Sequence, residues 1–270
     1  MRPPLLFSYH TIMKSFASIL AFVALSLGSV SAAPLVEQAQ ASYARTSAPA
    51  GAVVVDKSSN PVAGSYKTVQ QGVNALSTTT TTPQYLFIYP GVYTEQVYVP
   101  ALKSNLTIQG YTEDARTYAG NTATITYNLA LINTTSDDLT ATLRQWNKNT
   151  KVYNLIIANT FGHINSNGQN LAISAHTGNQ GYYATQFLGY QDTILANTGN
   201  QLYAKCLVTG AIDFIFGQTA LAWYGNYGPG SVQSEGPRAN FSSQASAAID
   251  ITTVLGKNYL SEWWVDASYL

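Results

Sequence analysis

Charge is scarce in this 270-residue chain. Asp, Glu, Lys and Arg make up 10% of it, against roughly 25% in an average soluble domain, and the formal net charge is +0. Without a basic patch there is no electrostatic footprint for nucleic acid. Cysteine is nearly absent: Cys206 is the single one, so no internal disulfide can form and stability must come from backbone ladders and packing. Cys206 lies in the apolar string Leu202-Tyr203-Ala204-Lys205-Cys206-Leu207-Val208 and reads as a buried structural thiol rather than a nucleophile. The histidines are His10, His163 and His176, too few and too scattered for a metal cluster. No phosphate-binding glycine loop, cysteine cluster or Gly-x-Ser-x-Gly elbow occurs. No metal and no cofactor are expected. Long hydrophobic runs are missing too. Ile19–Leu27 is too short to span a bilayer.

What surrounds that run gives it another meaning. Lys14 precedes it and the small residues Val30-Ser31-Ala32-Ala33 follow, the pattern of a secretory leader over residues 1–33, with Met13 an alternative start. Removing the leader takes away Arg2 and Lys14 and leaves a slightly acidic, secreted chain with no membrane segment. Three Asn-x-Ser/Thr sequons, at Asn105, Asn133 and Asn240, suit an exported glycoprotein. In place of charge the chain is rich in Gly (20 residues), Tyr (19), Ser, Thr, Asn and Gln. A surface of neutral hydrogen-bonding groups and aromatic faces suits a sugar ligand.

Residues 34–50 are polar and Ala-rich and read as a loose arm. Tyr66–Leu76 has apolar positions at helical spacing, hence one short helix. From there on the chain is a series of short β-branched and aromatic runs, such as Tyr85–Tyr89, Gln96–Val99 and Val152–Ile157, broken by Gly, Asn, Asp and Pro. Gln186-Phe187-Leu188-Gly189 and Lys205-Cys206-Leu207-Val208-Thr209-Gly210 look like one rung written twice, and a repeat of 20–25 residues points to a solenoid. The fold expected is all-β: a single-domain right-handed parallel β-helix with a short N-terminal helix.

Two strand-like strings each carry a carboxylate: Gly189-Tyr190-Gln191-Asp192-Thr193-Ile194-Leu195 and Gly210-Ala211-Ile212-Asp213-Phe214-Ile215-Phe216-Gly217. Asp is depleted in strands and costly to bury, so two such acids 21 residues apart stand out. They have a structural reading, as hydrogen-bonded turn or core acids, and a chemical one. In a β-helix of 21–23 residues per coil, Gln169, Asp192 and Asp213 fall on successive coils and form one vertical array with Gln191 beside it. Carboxylates ~5 Å apart repel by ~3 kcal/mol at an effective dielectric near 20, enough to part their titrations by ~2 units. One acid then keeps its proton while the other ionises, which supplies a general acid and a nucleophile from one residue type. The amides of Gln169 and Gln191 can donate to an oxyanion. Glu95 reads as a structural turn acid. Phe214 and Phe216 share a parity opposite to that of Ile215, which places Phe216 toward the groove.

At these residues the chain resembles the pectin methylesterase family in its fungal form. Asp213-Phe214-Ile215-Phe216-Gly217 matches the family's Asp-Phe-Ile-Phe-Gly signature. Gln191-Asp192-Thr193-Ile194 resembles its Gln-Asp-Thr-Leu, Gly168–Ser174 its Gln-Ala-Val-Ala-Leu segment, and Gly91–Glu95 its Gly-x-Tyr-x-Glu. Four motifs stand in family order between about residues 50 and 224. The resemblance implies a metal-free parallel β-helix, here over 51–224, that removes methyl esters from pectin. It makes Asp213 the nucleophile, Asp192 the acid and then base, Gln169 and Gln191 the oxyanion donors, and Tyr190 and Phe216 substrate contacts. It implies methyl-esterified pectin as partner, a monomer, and secretion to the cell wall. One departure bears on this. The family continues to a Leu-Gly-Arg-Pro-Trp motif whose Arg pairs with the nucleophile; here the single Arg after Asp213 is Arg238. The chain passes from about Trp223 or Tyr224 to an irregular junction and a C-terminal cap, 225–270. That leaves a non-catalytic pectin-binding or structural cell-wall solenoid as the competing expectation.

Overall fold

The computed structural model describes residues 43–163, 166–225, 247 and 249–270. The leader predicted at 1–33, Arg238 and the sequon at Asn240 lie outside the described residues.

Three parallel sheets run side by side along the chain, each strand stacking on its counterpart from the previous coil. The first sheet has seven strands: Val53–Val55, Gln84–Ile88, Leu106–Gly110, Thr150–Tyr153, Gln180–Tyr183, Thr198–Ala204 and Thr219–Gly225. The second has five: Val97–Val99, Leu143–Gln145, Ile173–Ala175, Ile194–Ala196 and Ile215–Phe216. The third also has five: Gly91–Thr94, Ala123–Tyr127, Leu155–Asn159, Gln186–Leu188 and Leu207–Thr209. This is the expected right-handed parallel β-helix.

Its core is written in ladders. Val97, Leu143, Ile173, Ile194 and Ile215 share one rung position, and Tyr93, Ile125, Ile157, Phe187 and Val208 another. On the first sheet Leu86, Ile108 and Val152 give way to Tyr182, Tyr203 and Tyr224. These tyrosines stack with centroids 4.7 and 4.4 Å apart at 14° and 13°. A buried phenol needs an acceptor, and Tyr182 and Tyr203 find theirs in the Oε1 atoms of Gln180 and Gln201, both at 2.8 Å.

The coil length is not uniform. Ile173, Ile194 and Ile215 succeed one another at 21 residues, Leu143 precedes Ile173 by 30, and Val97 precedes Leu143 by 46. The longest step contains an arch over residues 128–142. It carries a 3₁₀ turn, Leu131–Asn133, and a short helix, Asp137–Thr140.

Other parts refine the sequence expectations. The N-terminal helix spans Val69–Asn74, capped by Thr68 and Gln71 in a reciprocal capping box. The structural acid Glu95 caps the same helix, accepting from the N–H groups of Val69 (2.7 Å) and Gln70 (2.9 Å). Residues 43–50, expected to be loose, are docked: Arg45 and Thr112 exchange backbone hydrogen bonds of 2.8 and 3.0 Å. Arg116 also lies over the Tyr43 ring, 4.1 Å from its centroid. The described C-terminal residues lie along the outer face of the first sheet as a strap, where the sequence suggested a cap. Buried Trp264 and Val265 pack there on Tyr153, Tyr183, Leu202 and Ala204. Tyr183 donates from its hydroxyl to the Trp264 carbonyl (2.7 Å), and Tyr153 to Asp266 Oδ2 (2.8 Å). Cys206 is the structural thiol expected; it faces the carbonyls of Tyr182 and Ala204, and burial pushes it up to about 12.

One buried side chain ties the arch to the helix. Asn159 Nδ2 donates to the carbonyls of Leu129 (2.9 Å), Thr140 (3.0 Å) and Leu171 (3.1 Å). Asn159→Ala strips these acceptors of a shared donor and is expected to cost about 2–4 kcal/mol, read from the urea midpoint at unchanged slope.

Candidate active site

The two carboxylates do not sit within strands, as the apolar strings suggested. Each occupies the turn that leads into a strand of the second sheet, in left-handed backbone: φ is +61° at Asp192 and +43° at Asp213. Asp is among the few non-glycine residues that accept this region readily, so a turn of this kind asks for Asp or Asn locally. The turn recurs one coil later. The N–H of Asp192 donates to the Ile212 carbonyl (3.0 Å), that of Ile194 donates to Phe214 (3.0 Å), and Gln191 bridges to Ile212. Asp213 therefore stands one rung from Asp192, a step of ~4.8 Å.

Gln169 departs from the expected array. With a period of 21 residues the rung beneath Asp192 belongs to Leu171, two residues further on. Gln169 lies in the turn before that rung, yet its amide and that of Gln191 both favour the ionised form of the Asp192 carboxyl. Asn170 locks the turns together: its N–H donates to the Gln191 carbonyl (3.1 Å), and its Oδ1 accepts from the Gln191 N–H (3.2 Å).

The two acids differ in surroundings. Asp192 is 5% exposed, whereas Asp213 is open to solvent. Burial, the neighbouring Asp213 and, more weakly, Asp137 raise the Asp192 carboxyl to about 6, against the lowering effect of the two glutamine amides. Among the described residues no ion pair involves either acid, and no set of three His, Cys, Asp or Glu side chains is arranged to hold a metal.

Around the pair, Ile215 turns to the core, while Phe214 is 40% exposed and Phe216 half-buried. Phe216 rests on Leu195, Ala141 and Leu171 at the outer face of the second sheet, so it reaches that face as packing as much as lining. The Gly ending the motif is a close approach: a Cβ on Gly217 would overlap the Ala196 carbonyl oxygen. Tyr190 is half-buried and stacks on the exposed His163 ring at 4.8 Å.

Further along the sheet's outer face His176 stacks flat on Trp146 (3.7 Å, 1°). Asp138 accepts there from Arg144 (2.6 Å) and Trp146 Nε1 (3.0 Å). Sequence reasoning passed over this cluster and Asp137 alike. Both depend on the arch, whose position no periodicity encodes.

A parallel β-helix with two carboxylates one rung apart, one sheltered and one open, beside two glutamine amides, defines a solenoid with a carboxylate pair on its outer face. The Pectinesterase family model matches residues 52–235, and the chain belongs to that family. It is 50% identical over 180 residues to a pectinesterase of Aspergillus niger, covering 67% of this chain and 53% of that protein. It is 48% identical over 199 residues to a pectinesterase of Aspergillus aculeatus, covering 73% and 58%. The chain thus spans little more than half the length of these curated relatives. Among solved structures, the deglycosylated pectin methylesterase from Aspergillus niger aligns with a TM-score of 0.70 at 25% identity, covering 84% of this chain and 100% of that one. The pectin methylesterase from carrot aligns with a TM-score of 0.56 at 28% identity, covering 65% and 51%.

The raised carboxyl of Asp192 has a consequence for stability. An unfolded Asp loses its proton near 4, whereas the folded one holds it to about 6. Stability from this group is complete below pH 4, falls as pH rises through that window and is gone above it. Asp192→Asn, which also tolerates left-handed backbone, is expected to match the parent at pH 4. At pH 7.5 it should exceed the parent by about 1–2 kcal/mol after allowance for solvent screening. Urea midpoints at the two pH values check this.

Proposed function

We propose that this chain hydrolyses the methyl esters of pectin, releasing methanol, with Asp213 as nucleophile and Asp192 as acid and then base. The observation that carries the reading is the stacked pair itself: an open carboxylate one rung from a sheltered one that holds its proton to about pH 6, within a Pectinesterase-family solenoid. The exposed Asp213 carboxylate attacks the ester carbonyl carbon. The carbonyl π-electrons move onto oxygen, where the amides of Gln169 and Gln191 donate. A primary amide has two N–H donors, so each glutamine can serve the oxyanion while still holding Asp192. Collapse breaks the C–O bond to the methoxy group, and the Asp192 proton leaves with it as methanol. Asp192, now a carboxylate, takes a proton from water, and the hydroxide cleaves the acyl–Asp213 anhydride to free the uronic acid and restore the pair. The charge balance closes without a metal or cofactor.

Substrate and setting follow from the same family reading. The polymer is methyl-esterified pectin, met through Tyr190 and Phe216 as well as the exposed Phe214. The enzyme works outside the cell as a monomer, after loss of a leader over residues 1–33. No helix among the described residues is long and apolar enough to cross a membrane. The sequon at Asn133 is exposed, which suits a glycan.

Methanol release from highly methylated pectin tests the reading. The parent is expected to release methanol above the blank, and Asp213→Asn to lower the rate by about 10³-fold or more. Asp192→Asn should lower it by about 10²–10⁴-fold. Pectin binding by a folded parent that releases no methanol would replace the esterase reading with that of a pectin-binding solenoid.

A further inference from the structure

The extra length of the 30-residue coil falls at a single corner. Ile156 and Ile173 pair with Gln186 and Ile194 of the next coil. The first two are 17 residues apart in sequence and the second two are 8 apart. The added residues therefore lie between the third and second sheets, at the corner that carries Asp192 on the next coil and Asp213 on the one after. Buried Asn170 fastens this longer turn to the acid-bearing one. Its Nδ2 donates to the Gly162 carbonyl (3.0 Å), its Oδ1 accepts from the Gln191 N–H (3.2 Å), and its own N–H donates to the Gln191 carbonyl (3.1 Å). Phe161 is held beside it, its N–H donating to Asn159 Oδ1 (3.1 Å).

This places His163, the residue after Gly162, on Tyr190, the residue before Gln191. Their rings stack with centroids 4.8 Å apart at 21°. Tyr190 is pinned in turn to the coil of Asp213: its carbonyl accepts from the N–H groups of Ala211 (2.7 Å) and Ile212 (3.1 Å), the two residues before that acid. Tyr190 is half-buried and His163 exposed. The imidazole covers one face of the phenol and turns its own second face to solvent. We propose that His163 is the substrate-contact residue at this corner: its exposed face, backed by Tyr190, stacks on a uronate unit next to the one whose ester lies at Asp213. This rests on the reading of the chain as acting on pectin, and it moves the contact expected of Tyr190 one ring outward.

The chemistry of both partners fits. A pyranose ring has an apolar C–H face and a polar rim, and ligand sites join flat apolar surface to a few polar groups that fix orientation. An imidazole offers both, since it keeps an N–H donor in either protonation state. A ring already stacked on its neighbour loses little freedom when a ligand settles on it. The other aromatic groups around the pair leave this side unserved. Phe216 packs on Leu195, Ala141 and Leu171, and Phe214, 40% exposed, belongs to the coil of Asp213. The stacked rings of His163 and Tyr190 belong to the coil of Asp192 and the one before it, so the pair has an aromatic group on either side along the solenoid.

The test is the affinity for a methyl-esterified hexagalacturonate, titrated calorimetrically into the full chain carrying Asp213→Asn so that the ligand is not consumed. In that background His163→Ala is expected to weaken binding about 3–10-fold, the size of one aromatic face contact. His163→Phe, which keeps the face, should restore most of the loss. Tyr190→Ala should weaken binding too, and adding His163→Ala to it should cost little more, because the two rings act as one unit. Urea midpoints confirm that each variant is folded. Unchanged affinity in His163→Ala, a His163→Phe protein no tighter than His163→Ala, or a full loss in Tyr190→Ala with none in His163→Ala would overturn the proposal. Methanol release by the chain with Asp213 intact is the separate readout, where the loss in His163→Ala should fall on KM rather than kcat. Weakened binding in a protein that releases no methanol leaves the contact standing and removes the esterase reading. Methanol release with affinity and KM unmoved by His163→Ala does the reverse.

Discussion

Everything at this site depends on one backbone conformation, the left-handed turn at Asp192 repeated one coil later at Asp213. Equivalent positions on successive coils share a face, so the 21-residue step sends both side chains the same way. In the turn, both project from the same corner of the solenoid. Like charges at such a distance repel by ~3 kcal/mol at a dielectric near 20. The fold accepts the repulsion because one carboxyl can remain neutral. The unlike burial of the two acids decides which, and burial rather than a specific partner is the larger influence on Asp192.

A second left-handed ladder shows that the turn belongs to the scaffold. Asn154, Ala184 and Lys205 have φ of +51°, +47° and +53° on successive coils at another corner. There the same backbone carries an amide, a methyl and an ammonium, and no chemistry gathers. What separates the two corners is their neighbours. Asp192 and Asp213 face the glutamines and the arch, whereas the other corner adjoins the first sheet, on whose outer face the C-terminal strap packs with Tyr153, Tyr183, Trp264 and Tyr269. That strap covers one side of the solenoid with buried aromatics.

The fold was legible because a solenoid writes its core once per coil, as in Ile173, Ile194 and Ile215. The short helix was legible for an equally local reason, the helical spacing of apolar residues over Tyr66–Leu76. The acid pair was legible for the same reason, since 21 residues is one turn of the ladder. Placing Gln169 on the same array failed because a 23-residue step was taken for a rung, when the rung belongs to Leu171. Asp137 could not be found at all. Its distance from Asp192 in sequence is unrelated to the coil period, and it lies on an arch anchored through Leu131, Thr140 and Asn159.

The 21-residue coil also acts as a ruler. Substitutions between Asp192 and Asp213 leave the distance between the carboxylates untouched so long as the ladder forms, since backbone pairing sets it. A single inserted or deleted residue in that interval cannot be absorbed in the same way. It shifts the register by one, turns the following side chains to the opposite face and takes Asp213 off its rung. This coil is thus constrained in length as well as at core positions such as Ile194, Leu202 and Tyr203, whereas the coils before it run to 30 and 46 residues. The longer of these houses the arch, so new groups could be added around the pair without changing the spacing within it.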